Sequence, residues 1–197
     1  MTMIELAIGL SIVAILMAAG MPSFSAWMHN SKIRTTAEAI QSGLQVARAE
    51  AVRRNALVRF QLTTSIDAGC AIATSGTNWI ISRDDPTGLC ANGFIDESFT
   101  FSDTTNNPSP GIIKKRTAAE GSSNIIVAAG QASIIFTGAG RVTPALAAPL
   151  SIDITNPTGG ACATAAGPMR CLRVTVATAG QARMCDPALA STDPRGC

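Results

Sequence analysis

From Leu6 to Met21 the chain is apolar except for Ser11, and a lone carboxylate, Glu5, stands directly ahead of that run. Burying an unpaired carboxylate in hydrocarbon costs about 3 kcal/mol on the mildest scale. Glu5 therefore requires a partner that neutralises it. A helix of about 20 residues covers about 30 Å, so residues 1–28 are expected to span the apolar core of a bilayer. The segment does not read as a secretory signal peptide, because it lacks a basic start and a small-residue cleavage site. Pro22 predicts a kink, softened by the neighbouring Gly20. Ser25 and Trp27 mark the exit into the interface, where indole rings settle.

The helix is expected to run on to about Arg54. Ile33, Ala37, Ile40, Leu44, Ala47 and Ala51 recur at spacings of three and four, one face of a helix. Lys32, Arg34, Glu38, Arg48, Glu50 and Arg53 lie off that stripe. The second half is thus amphipathic and should pack on a sheet, with Asn55 as its stop. Downstream the period changes to two. Strands are predicted over 56–63, 78–83, 124–129, 132–137, 150–155, 170–177 and 182–185. Gly130-Gln131 reads as a turn, and 102–111 and 156–168 read as loops. The whole is one domain plus an anchor: residues 1–28, then a globular part over 29–197 made of a helical half (29–54) and a β-sheet region (56–197).

Six cysteines, Cys70, Cys90, Cys162, Cys171, Cys185 and Cys197, all lie beyond the apolar run. None has the Cys-x-x-Cys spacing of a zinc site. An even number confined to an exported region implies disulfides in an oxidising compartment. Six cysteines allow 15 pairings. The favoured set is Cys70–Cys90 across a long hairpin, Cys171–Cys185 across a second, and Cys162–Cys197 by elimination. One or two free thiols is the alternative.

The stretch Met1-Thr2-Met3-Ile4-Glu5-Leu6, followed by an apolar helix with proline at position 22, resembles the mature N-terminus of type IV pilins and type II secretion pseudopilins. The family pattern begins Phe-Thr-Leu-Ile-Glu-Leu, so Met stands where Phe is usual. The strand after the long helix, Trp79-Ile80-Ile81 and Ile135-Phe136-Thr137-Gly138-Ala139-Gly140-Arg141 resemble the GspH/FimT branch. The closing Arg170-Cys171-Leu172-Arg173-Val174 and Gly180-Gln181-Ala182-Arg183-Met184-Cys185 resemble its FimT/FimU-like minor pilins. This resemblance covers nearly the whole chain. It implies an α+β fold, with a long kinked N-terminal helix packed on an antiparallel β-sheet domain.

It also implies roles for single residues. Glu5 would contact the N-terminal amine of a neighbouring subunit, Met1 would supply that amine (methylated in the family after leader cleavage), and Pro22 would shape the helix for assembly. In some relatives a Gly-Arg-x-Arg motif at the last hairpin binds DNA during natural transformation. Here the run is Gly180-Gln181-Ala182-Arg183, so the first arginine is missing. Arg170, Arg173, Arg183 and Arg195 are the candidate contacts to double-stranded DNA. They would rely on phosphate charge alone, because no aromatic residue interleaves them.

The remaining features carry less. Lys114-Lys115-Arg116 reads as a solvated cluster on a loop. Asp84-Asp85-Pro86 reads as a turn, since two adjacent acids without further oxygen ligands do not make a calcium site. The one histidine, His29, has no nucleophile beside it, and no glycine loop follows a strand and opens a helix, so no enzymatic activity, metal or cofactor is expected. A net charge of +2 implies no nucleic-acid partner by itself.

The resemblance therefore points to a minor pilin that enters a pilus, or its initiating or tip complex. Its partners would be other major and minor pilins, the inner-membrane assembly platform, and the prepilin peptidase/N-methyltransferase during maturation. It would sit as a single pass in the inner membrane of a Gram-negative bacterium, globular part in the periplasm, before extraction into an extracellular filament. The alternative is the H-type pseudopilin of a type II secretion system.

Overall fold

A computed structural model of the chain describes residues 2–120 and 124–197; the side chains of 18–23 and 119 lie outside the described set. One helix, α1 (Met3–Arg54), has 52 residues and is about 78 Å long at 1.5 Å per residue. It starts on a capping box: Thr2 accepts from the Glu5 N–H, and the Glu5 carboxylate accepts from the Thr2 N–H at 3.1 Å. It ends where Asn55 turns left-handed at φ 47°, a conformation that asparagine tolerates. The element is continuous through Pro22, whose side chain is among those not described; Met1 is outside the described residues altogether.

All six residues of the predicted stripe are buried, from Ile33 to Ala51. They face two antiparallel sheets. The first has the order β3 (Ile112–Arg116), β2 (Asn78–Ser82), β1 (Val58–Thr63), β5 (Ser133–Phe136), β6 (Val142–Thr143). The second has the order β4 (Ile126–Ala129), β7 (Leu150–Thr155), β8 (Leu172–Val176), β9 (Ala182–Cys185). Residues 56–197 thus form two sheets under one helix. The strands flanking Gly130-Gln131 part company there: β4 pairs with β7, and β5 pairs with β1.

The small side chains of the stripe set how close the helix sits. A Cβ on Gly43 would lie 2.8 Å from Phe60 Cε2 and 3.1 Å from Trp79 Cη2. Both rings are buried and touch each other, centroids 5.5 Å apart. The far face of the first sheet is also covered. Cys70, Cys90, Ile80 and Ile112 form a second small core there, and Gln61 accepts from the Ser82 hydroxyl at 3.1 Å. This is why β1 is buried on both faces, where its alternating sequence predicted one.

The cluster Lys114-Lys115-Arg116 is an edge strand and not a loop. Consecutive cations hide a strand from periodicity, yet lysines on an edge discourage further pairing. Lys115 turns back to donate to the carbonyls of Cys90 and Asn92, both at 3.1 Å. The long loop between β2 and β3 is held by arginines. Arg83 donates to the Phe101 and Asn107 carbonyls. Arg54 lies 4.6 Å over the Phe101 ring and bridges Glu50 and Glu97.

Two predictions follow from this packing. Gly43→Ala gains up to about 1 kcal/mol of helix propensity, against about 1–3 kcal/mol for overpacking two immobile rings. The variant is expected to have a lower denaturant midpoint than the parent. The second concerns acid. Burial raises the Glu50 carboxyl, but hydrogen bonds and charge from Arg53 and Arg54 outweigh it and hold it below its ordinary value. Asp67, Asp85 and Asp103 are lowered by hydrogen bonds from Ser65, Thr87 and Asn106 respectively, with backbone N–H groups adding to each. Carboxyls depressed in the folded state stabilise it fully above their unfolded values, about 4, and lose that contribution as pH falls through the folded values. Stability is expected to be level from about pH 5 to 7 and to fall steadily below about pH 4, measured as urea midpoints across that range.

Candidate interaction sites: the exposed stem and the arginine groove

The first site is the stem. From Met3 to Met17 every described side chain is exposed, on all sides of the helix: Met3 91%, Ile4 69%, Ile15 68%, Leu16 66%. Among the described side chains, packing against the sheets begins at Ala26, and Ile33 is the first fully buried residue. Glu5 is bound within its own chain, since the Thr2 N–H and hydroxyl both meet its Oε2. The Thr2-x-x-Glu5 spacing is the sequence signature of that box. Among the described residues no helix is long and apolar enough to cross a membrane; the side chains of 18–23, inside the apolar run from Leu6 to Met21, lie outside that set.

The second site lies where the helix joins the sheets. A groove of about 670 Å³ is walled on one side by Trp27, Asn30, Ser31 and Arg34 of α1. The opposite wall is the start of β8, the end of β9 and the tail beyond it. Arg170, Arg183 and Arg195 line it; Arg173 does not. Arg173 sits across from Asp153 in the β7–β8 register and binds it at 2.6 Å. No acid stands between Arg170 and Cys185 in sequence, but register brings one from the neighbouring strand. Arg170 lies 3.7 Å from Asp186, and Arg195 lies 3.0 Å from Asp193. The hydrogen bonds from the Arg195 side chain and N–H hold the Asp193 carboxyl below its ordinary value. Arg183 donates to the Gly196 carbonyl.

The cysteines form three disulfides. Cys70–Cys90 is as expected, Cα atoms 6.1 Å apart. The other two differ: Cys162 pairs with Cys171 and Cys185 with Cys197, replacing the expected Cys171–Cys185 and Cys162–Cys197. The register explains it. Arg173 stands opposite Cys185, so Cys171 is two residues out of line. Such diagonal pairs are about 7–8 Å apart, beyond the usual disulfide span. Instead, Cys197 brings the tail back onto β9, where Asp186 donates its N–H to the Arg195 carbonyl at 2.7 Å. A Cβ on Gly196 would meet the Ala190 carbonyl oxygen at 2.1 Å, so only glycine fits that fold-back. The groove's outer wall is thus made by the third disulfide.

Other candidates are settled locally. Asp85 accepts from the Thr87 N–H and hydroxyl, a turn as expected. His29 Nδ1 lies 3.0 Å from the side-chain amide of buried Asn156. Among the described residues no cluster of His, Cys, Asp or Glu could hold a metal ion.

The family described as type II transport protein GspH matches residues 36–180, from the packed half of α1 to the β8–β9 turn. The chain belongs to the GspH family. In fold this GspH-family chain is similar to the type IV minor pilin FimU of Pseudomonas aeruginosa. For a crystal structure in space group P21 the TM-score is 0.50 at 16% identity, covering 85% of this chain and 98% of that one. For a second crystal form, P65, the values are 0.47, 17%, 81% and 98%. No curated protein matches it in sequence. A FimT/FimU-like minor-pilin fold and an α+β architecture are what these comparisons establish.

The pairing is checked by digestion after arginine without reduction. Residues 142–170 are expected to stay joined to 171–173, and 184–195 to 196–197. Mass spectrometry finding 171–173 joined to 184–195 would restore the Cys171–Cys185 staple.

Proposed function

We propose that this chain is a minor pilin-like subunit that enters a helical filament, or its initiating or tip complex, through its N-terminal stem. The exposed apolar stem carries the proposal. A band of large aliphatic side chains on every face of a helix has no stable place in water. It requires hydrocarbon, or other helices of the same kind. Before assembly the inner membrane would cover it, the span completed by the residues up to Trp27. After assembly the stems of neighbouring pilins would, held by van der Waals packing. Residues 1–28 then act as anchor and filament core, and 29–197 as the periplasmic head. Prepilin peptidase/N-methyltransferase and the assembly platform are the partners this route needs.

Glu5 would do two jobs in turn: cap its own helix, and meet the amine of a neighbour's Met1. Glu5→Gln separates them, because glutamine can complete a capping box but carries no charge. The variant is expected to keep its helicity by circular dichroism, yet drop at least about tenfold in sheared filament fractions, a factor worth about 1.4 kcal/mol. Wild-type levels in filaments would remove the charge from the mechanism. Between pilus and secretion, the pilus reading is preferred on the FimU-like fold; an H-type pseudopilin would instead restore exoprotein export to a strain lacking its own.

Duplex DNA has less support. Arg173 is tied to Asp153 on the neighbouring strand, and the other three candidate arginines line a groove sized for a small ligand and not for a duplex. Fluorescence anisotropy of a short duplex is expected to show no salt-sensitive binding to this chain.

A further inference from the structure

The groove lies at a particular height. It opens beside Trp27, which is 65% exposed and stacks loosely with exposed Phe24, ring centroids 5.9 Å apart. Those aromatics directly follow the apolar stem, in the position that interfacial indoles take. Arg34 is seven positions further along, about 10 Å up the helix. The headgroup layer of a bilayer leaflet is about 5–8 Å deep. If the stem is anchored, the groove mouth and the lipid phosphates share one level.

Its lining fits such a ligand in both halves. Four guanidinium groups, Arg34, Arg170, Arg183 and Arg195, face a single lining carboxylate, Asp186. Arg34 and Arg195 have further acid partners in Glu38 and Asp193, but those pairs are at the surface. The side chains of Arg34, Arg170 and Arg195 are 70%, 63% and 73% exposed. Exposed pairs of this kind are weak and readily exchange partners. Asp186 is buried, held by the Ala188 N–H at 2.9 Å and paired with Arg170 at 3.7 Å, so it stays in place and leaves Arg34 and Arg195 as the cations most able to turn to a ligand. The same cavity is lined by apolar Trp27, Leu172, Met184 and Leu189. A free phosphate would use only the cations, whereas a lipid uses both, and the groove stands at the level of the headgroups.

We infer that this groove seats the phosphate headgroup of an anionic phospholipid, with the glycerol and upper acyl carbons against its apolar side. The inference rests on the membrane anchoring proposed above. It makes the groove a cradle that fixes the head's orientation on the bilayer, closed on one side by Cys185–Cys197.

The test uses the full oxidised chain in nanodiscs of phosphatidylcholine alone or of phosphatidylcholine with phosphatidylglycerol. Amide exchange of residues 183–197 is expected to slow about tenfold when phosphatidylglycerol is present. The slowing should vanish in the triple variant Arg34→Gln, Arg170→Gln, Arg195→Gln and persist in the corresponding lysine variant. Incorporation into both discs with identical exchange would overturn the inference and leave anchoring intact. Failure to enter either disc would overturn both. Two further arms use the detergent-solubilised chain. Slowing by glycerol 3-phosphate alone would reassign the groove to free phosphate. Slowing by a peptide of residues 84–103, with carboxylates at Asp84, Asp85, Asp96, Glu97 and Asp103, would reassign it to a second subunit.

Discussion

Everything in this protein leans on one contact: the stripe from Ile33 to Ala51 of α1, pressed on two sheets at once. Each sheet turns one face to this helix. Removing the helix would expose both. The stripe mixes large residues (Ile33, Ile40, Leu44) with small ones (Ala37, Gly43, Ala47, Ala51). The large ones bury apolar area, worth about 25 cal/mol per Å². The small ones let the helix axis come close enough for Phe60 and Trp79 to fill the gap. The sheets in turn position β8, β9 and the tail against the helix's lower end, which is what creates the groove.

Much of this was legible in sequence because it obeys a period. The stripe repeats at three and four, β7 and β9 alternate between flanking loops, and their boundaries at Leu150–Thr155 and Ala182–Cys185 coincide with those predicted. Asn55 stops the helix where its residue type says it should. What escaped was whatever depends on which strand meets which. Sequence could not show that β4 and β5 join different sheets, since both flank an ordinary turn signal. Register decided that Cys185 faces Arg173 and that Asp153 neutralises it. The edge strand over Ile112–Arg116 was hidden by three cations in a row, and β6 is two residues long.

The two sites divide the same way. The stem announces itself as composition, and the Thr2–Glu5 capping box as a four-residue pattern. The groove has no local signature. Its walls come from residues 27–34 and 170–195, and its shape depends on a disulfide to Cys197. An oxidising compartment therefore makes the groove as well as stabilising the fold; closing so short a loop contributes about 3 kcal/mol on the chain-entropy account.

The continuity of α1 has a mechanical consequence. Stem and stripe belong to one rod, with no linker between them. A pull along the stem reaches the head as shear along the helix axis. Ile33, Ala37, Ile40, Leu44, Ala47 and Ala51 would then resist together and not one after another, as they would if the helix were peeled from its end. Interlocked side chains loaded in shear must all slide before any one is released. A load along the stem is thus met by the whole stripe before the core opens.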